Sequence, residues 1–270
     1  MLLLSWIAAV VACLAYGVAT VLQAVGARRA ATAAGVGGVV GIVTQLPYLA
    51  GLALDGLGFL GNVLALRELP LFLVESIVAA SVGVTAVVAA LRGEKLGARD
   101  WGALGVLGLG LVLLGLSAAA ESASETANAV TIAILVATVL PLALGLIGYR
   151  LSGRTSVILC AIAAGLGFSG VAVAARAMGS ADIDLGLLAD PLLYAILVYG
   201  ALAVGFFGVA LQRGKVTVVA ALTFVIEVIV PSALGLVVFG DSILPGREVL
   251  AVAGFVLAIG GTIALSRFAE

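Results

Sequence analysis

This chain has no histidine, only two cysteines among 270 residues, and charge on only 10% of its positions. Each shortage removes a class of function. Without histidine there is no imidazole base or ligand. Cys13 and Cys160 both sit inside apolar runs, which fits neither a disulfide framework nor a zinc site. Thirteen Lys and Arg against fourteen Asp and Glu form no basic surface, which excludes nucleic-acid binding. Lipid-modifying enzymes draw on His, Cys or clustered interfacial acids, and nucleophile motifs of the Gly-x-Ser-x-Gly kind and His-Glu motifs are missing too, so no enzyme activity is expected and no cofactor. What fills the space is apolar: 64% of residues are hydrophobic and mean hydropathy is +1.34. Soluble domains run near 45–50% apolar and ~25% charged. The solvent for this surface is therefore a bilayer.

A membrane helix needs roughly 20 apolar residues. Apolar runs bounded by charge or turn residues predict nine spans, near Leu2–Gly26, Thr44–Leu66, Leu69–Leu91, Trp101–Ala118, Ala129–Tyr149, Val157–Met178, Pro191–Leu211, Val216–Phe239 and Val249–Ser266. Ala30–Ile42 is a weak tenth candidate, uncharged but too short to share its space with a second crossing. The first span lacks the positive flank of a secretory signal and its apolar run is too long for one, so it reads as a retained helix. No connection is long enough for a soluble domain.

Positive charge orients the spans. With the amino terminus outside, the inner loops carry Arg28, Arg29, Arg92, Lys95, Arg99, Arg150, Arg154, Arg213, Lys215 and Arg267, and the outer loops only Arg67, Arg176 and Arg247. The positive-inside rule thus favours nine helices, amino terminus outside and carboxyl terminus cytoplasmic, in the plasma membrane. Splitting Ala30–Leu66 into two helices degrades the bias. Glu121, Glu125, Asp182 and Asp184 fall in outer loops.

The chain also repeats itself. Ala65-Leu66-Arg67, an apolar span, Arg92-Gly93-Glu94-Lys95-Leu96 and a Gly-rich span ending Leu113-Leu114-Gly115 are echoed by Ala210-Leu211-Gln212, an apolar span, Phe239-Gly240-Asp241-Ser242-Ile243 and a Gly-rich span ending Ile259-Gly260-Gly261. Tyr16-Gly17 and Phe168-Ser169-Gly170 hold comparable places upstream. Helices one to four thus recur as six to nine, and the odd number of crossings between copies inverts the second. The division is a first repeat over 1–118, a linking helix over 119–153 and a second repeat over 154–270. The fold class is all-α, polytopic, with two inverted four-helix repeats. Inverted repeats of this kind mark secondary transporters. The 36 glycines supply close helix contacts, with Gly37/Gly41, Gly61/Ala65, Gly254/Ala258 and Gly165/Gly167/Gly170 as candidate faces.

These residues resemble a family. The Ala-Leu…Gly-Glu-Lys-Leu…Gly pattern and its inverted copy look like the drug/metabolite transporter superfamily with its paired EamA-type halves. Tyr48-Leu49-Ala50-Gly51, Gly58-Phe59-Leu60-Gly61-Asn62 and Leu69-Pro70-Leu71 resemble the NIPA magnesium-transporter branch, with Phe59 where that branch has a glutamate. Asp55, one turn earlier, puts an acid on the same side. The resemblance implies alternating access. Its NIPA side implies a magnesium carrier with Asp55, Glu75 and Asn62 as oxygen ligands, since magnesium keeps most of its waters.

Charge inside a membrane is costly and marks function by default. Three carboxylates lie within spans: Asp55 in helix two, Glu75 in helix three and Glu227 in helix eight, with no Lys or Arg at similar depth. Such an acid holds either a proton or a cationic substrate, and that competition couples two fluxes. Glu227 is the deepest, and Pro231 one turn on frees its carbonyl. Asp55 is flanked by Gly51, Gly56 and Gly58, which would open its backbone to water or substrate, with Asn62 two turns along. Glu75 stands nearer the Pro70 end, within reach of the outer interface, with Ser76 and Ser81 nearby. Tyr16 joins Glu227, Asp55, Glu75 and Asn62 as a candidate substrate- or proton-binding residue. Gln23, Gln45, Tyr199, Thr223 and Ser232 read as links between helices. An anionic substrate would need Arg28, Arg29 or Arg213 at the inner mouth.

The leading expectation is a proton-coupled secondary transporter exporting a small organic metabolite or cationic compound. The alternative is a magnesium or divalent-cation carrier. A lipid flippase or a non-transporting scaffold ranks lower. The expected partners are the substrate and the bilayer, with the chain a monomer or a homodimer.

Overall fold

A computed structural model describes residues 2–32, 38–65, 77, 80–117, 128–178, 188–238 and 243–267. These residues are helical throughout, joined by short turns. The helices are α1 (Leu2–Thr32), α2 (Gly38–Val43), α3 (Leu46–Ala65), α4 (Ser81–Leu91), α5 (Ala98–Ser117), α6 (Asn128–Ala137), α7 (Val139–Arg150), α8 (Gly153–Met178), α9 (Pro191–Arg213), α10 (Val216–Val238) and α11 (Glu248–Arg267). Among the described residues, six runs are long and apolar enough to cross a membrane: Leu3–Ala31, Ala98–Ser117, Asn128–Arg150, Gly153–Ala175, Pro191–Arg213 and Val216–Gly235. Leu46–Gly61, Ser81–Leu91 and Glu248–Ala264 are shorter apolar helices. The chain is a helical membrane protein.

Two expected boundaries shift. α1 continues past the Arg28-Arg29 pair to Thr32 and takes in the start of the weak tenth candidate, whose residues 33–37 lie outside the described ones and whose end falls in α2. The expected fifth span breaks at Thr138 into α6 and α7. Pro141 has no N–H for the carbonyl of Ala137, which ends the hydrogen-bond ladder there, and the Thr138 hydroxyl donates instead to Leu135 O at 2.7 Å. Pro231, by contrast, is carried inside an unbroken α10. The stretch from Leu69 to Val74, with Gly37 and Asp241, lies outside the described residues.

Lipid gives helices no hydrophobic reason to associate, so small residues must let backbones approach. α1 shows how. Its buried face is mostly alanine, with Ala8, Ala9, Ala12, Ala15, Ala19, Ala24 and Ala27. α3 lies antiparallel along it: a β-carbon on Gly61 would sit 2.9 Å from Ala8 O, and one on Gly51 would sit 2.8 Å from Ala19 O. α1 also packs on α4, where a β-carbon on Gly17 would meet Val84 and, at 2.9 Å, Ser81 O. α8 packs on α9 through Gly167 against Ala203, and on α10 through Gly165, whose β-carbon would meet Ile226 and, at 2.9 Å, Thr223 O. α5 and α11 form an antiparallel seam in which Gly110 faces Gly254 and Ala258 while Gly254 faces Gly110 and Leu114. The expected glycine faces at Gly61, Gly254/Ala258 and Gly165/Gly167/Gly170 are all used as contacts. The outward faces stay apolar, as with Val249, Val252, Val256, Ile259 and Ile263 on α11.

One end of the bundle gathers the basic residues. It is formed by the last turns of α1, α4, α7 and α9 and the first turns of α5, α8 and α10, which carry Arg28, Arg29, Arg92, Lys95, Arg99, Arg150, Arg154, Arg213 and Lys215. Arg213 is the keystone of this end. Its Nη1 donates to Tyr149 O at 3.0 Å, Leu151 O at 3.1 Å and Ser156 Oγ at 2.5 Å, closing the carbonyl terminus of α7. Its guanidinium also lies 5.2 Å from the centre of the Tyr149 ring. At the opposite end, Leu244 N donates to Ser117 O at 3.0 Å and Arg247 Nη1 donates to Leu116 O.

Candidate functional site

Asp55 lies on the stripe of α3 that also carries Tyr48, Gly51 and Gly58, spaced three and four residues apart and therefore on one face. That face packs on α1. The expected solitary carboxylate is not solitary: Gln23 of α1, itself buried, donates from Nε2 to Asp55 Oδ2 at 2.5 Å. The glycines around Asp55 do different work from that expected of them. The side chain of Gln23 lies against Gly51, and the ring of Tyr16 lies 3.0 Å from a β-carbon position on Gly58, so neighbouring side chains occupy the space reserved for substrate. Only Gly56 faces open space. Tyr48, fully buried two turns before Asp55, donates its hydroxyl to Val204 O of α9 at 2.6 Å. Gln23, Asp55 and Tyr48 thus link α1, α3 and α9 through polar groups within an otherwise apolar layer.

Glu227 stands midway along α10 and is half-buried. Pro231 leaves its carbonyl without the usual i+4 donor. The stripe of α10 that begins at Glu227 continues through Val230, Leu234 and Val238, and these three residues wall a cavity of about 430 Å³. The facing walls are Ala133 and Leu140 of α6 and α7, with α8 and Tyr199 of α9 as floor. Its lining is apolar. The two hydroxyls that reach it are already engaged: Ser169 Oγ donates to Ile226 O at 3.1 Å and Tyr199 OH to Ile134 O at 2.8 Å. The cavity occupies the half of the bundle away from the basic end.

The other sequence candidates divide. Glu75 and Ser76 lie outside the described residues, as does the side chain of Asn62. Ser81 is fully buried rather than lining a vestibule, and its hydroxyl has no partner among the described residues. Tyr199 and Thr223 link helices as expected, Thr223 Oγ1 donating to Ala161 O at 3.3 Å. Gln45 and Ser232 bond locally instead, to Gly41 O and Val228 O. Arg213 is committed to carbonyls of α7, and Arg28 donates to Gly214 O at 3.0 Å. Among the described residues no three of His, Cys, Asp and Glu stand together as a metal site. Cys13 and Cys160 are buried and unbridged.

Three features escaped the sequence reading. Gln23 pairs with Asp55. Tyr48 ties Asp55's helix to α9. Glu94, singled out only as part of a repeat, accepts from Val216 N at 3.0 Å and Thr217 N at 3.2 Å, capping α10 from the loop after α4. The available signal for the first was a lone amide in an apolar span, and for the last an acid placed directly after the helix-ending Gly93. No family model, curated protein or solved structure matches this chain.

Proposed function

We propose that this protein is a secondary active transporter of the drug/metabolite type, working by alternating access of two inverted halves over 1–118 and 154–270, with 119–153 linking them. It exchanges protons for a small organic molecule with an apolar body and a cationic group. The observation that carries the reading is the matched packing of the halves. α1 meets α3 and α4 as α8 meets α9 and α10. Gly17 seats against Val84 and Ser81 O, and Gly165 seats against Ile226 and Thr223 O, in the same i and i−3 arrangement. In the α5–α11 seam, Gly110 and Gly254 exchange roles, as do Leu114 and Ala258, which is how a two-fold axis lying in the membrane plane relates two antiparallel helices. This favours a pair of rocking halves over a static scaffold.

The cavity supports the substrate class. Its apolar wall accepts hydrocarbon or aromatic surface, and the α10 stripe leads one turn further to Glu227, an acid suited to a cation or a proton. Asp55, partnered by Gln23, is the second proton-exchanging group. The concentration of Lys and Arg at one end supports a cytoplasmic placement of that end in the plasma membrane, with the amino terminus outside.

Proteoliposomes loaded with a pH-sensitive and a magnesium-sensitive dye test the proposal. Proton movement driven by lipophilic organic cations and lost in Glu227→Gln is the expected result. Magnesium entry without proton movement, lost in Asp55→Asn, would replace it with the divalent-cation reading.

A further inference from the structure

We infer that Glu94 is the latch of a gate at the basic end of the bundle, and that the described conformation has this gate shut. The inference rests on the transporter reading for its purpose but on separate contacts for its existence. Arg92 and Gly93 end α4; Gly93 takes φ of +98°, a conformation costly for any side chain, and Glu94 N donates back to Ala89 O at 3.0 Å. That turn aims the Glu94 carboxylate at the amino terminus of α10, where it receives the N–H groups of Val216 and Thr217, one on each oxygen. A negative group at that terminus is favoured by the helix dipole as well.

Two further bonds fasten the same corner. Gln212 Nε2 donates to Ala27 O at 3.0 Å, and Arg28 Nη2 donates to Gly214 O at 3.0 Å. The turn between α9 and α10 is therefore gripped by α1 on one side and by the loop after α4 on the other. All four contacts join the first half of the chain to the second. They differ in kind from the α5–α11 seam, where backbones interlock through glycine. Water can replace each of these polar bonds at little net loss, which a gate requires and a packed seam does not allow. The Thr217 hydroxyl is buried beside the latch with no partner among the described residues, so closure leaves one polar atom unsatisfied that opening to water would satisfy.

The test is a distance measurement on the full chain in lipid nanodiscs. Spin labels on Arg92→Cys and Thr155→Cys, both exposed, report the separation of the halves at the basic end; Cys13 and Cys160 are buried and label poorly. Glu94→Gln keeps the shape but loses the charge and one acceptor. It should enlarge a longer-distance population at least threefold over the parent, and Gln212→Ala should do so independently. Unchanged distances in both variants, with melting behaviour like the parent's, overturn the latch. Vesicle flux is read separately. Shifted distances without any flux leave the latch standing and remove the transporter reading. Flux with unchanged distances does the reverse.

Discussion

Gln23 and Asp55 meet at 2.5 Å across the seam between α1 and α3, an amide donating to a carboxyl where both helices are otherwise lined with alanine, glycine and leucine. Hydrogen bonds between membrane helices contribute about 0.6 kcal/mol on average and up to ~1.7. Gln23→Leu should therefore lower stability by about 0.6–1.7 kcal/mol, whereas Asp55→Asn, which still offers an oxygen to Gln23, should cost less. Thermal melting of the two single variants and the double variant checks this, since the double should cost less than the sum of the singles.

Gly110 meets backbone atoms of α11 wherever a side chain would begin. A β-carbon there would lie 2.8 Å from Gly254 O and 2.9 Å from Ala258 Cα, both backbone atoms that cannot swing aside. Gly110→Ala should cost about 1–3 kcal/mol by overpacking. Gly105, in the same helix with nothing within 4 Å of its β-carbon position, should tolerate alanine or gain up to about 1 kcal/mol from helix propensity. Melting of the two variants side by side separates a packing effect from a general intolerance of substitution.

Arg213 ties the end of α7 to the start of α8, donating from Nη1 to Tyr149 O, Leu151 O and Ser156 Oγ, while its planar guanidinium lies against the Tyr149 ring. Arg213→Lys should fail to restore all that Arg213→Ala loses, the latter costing about 1 kcal/mol, because an ammonium cannot lie flat on the Tyr149 ring as the guanidinium does. Amide exchange at residues 150–156 should quicken in both.

Tyr199→Phe removes only the hydroxyl that reaches Ile134 O, leaving the ring on Gly170 in place. The effect should be local, about 1 kcal/mol. Faster exchange confined to α6 and the start of α7 is the expected signature; uniform quickening through α8 would mean that the ring has moved as well.

The extent to which this structure was legible in its sequence follows from the kind of signal each element gives. Apolar runs are local, so the six helices long enough to cross a membrane lie within runs that hydropathy marks, although their ends do not always match. Glycine faces such as Gly61 and Gly254/Ala258 were legible too, because small residues at helical spacing have few other uses in lipid. The break at Thr138 was hidden by an apolar composition that does not change there; only the missing N–H of Pro141 marks it. The partner of Asp55 was illegible for a different reason. Gln23 is 32 residues away, and the pairing appears only once the antiparallel register of α1 and α3 is known. Glu94 was noticed as half of a repeat, but its task, capping α10, depends on where a helix more than a hundred residues later begins.

The seam between α5 and α11 also constrains how the protein is made. Gly110 emerges with α5 and Gly254 only with α11, so α5 must enter the bilayer and wait for its partner while α6 to α10 are made. Membrane helices insert first and assemble afterwards, and a helix with glycine along its contact face can meanwhile accept other small-faced neighbours. The seam can thus close only after α11 has been made, and a chain truncated before α11 would leave the glycine face of α5 without its partner.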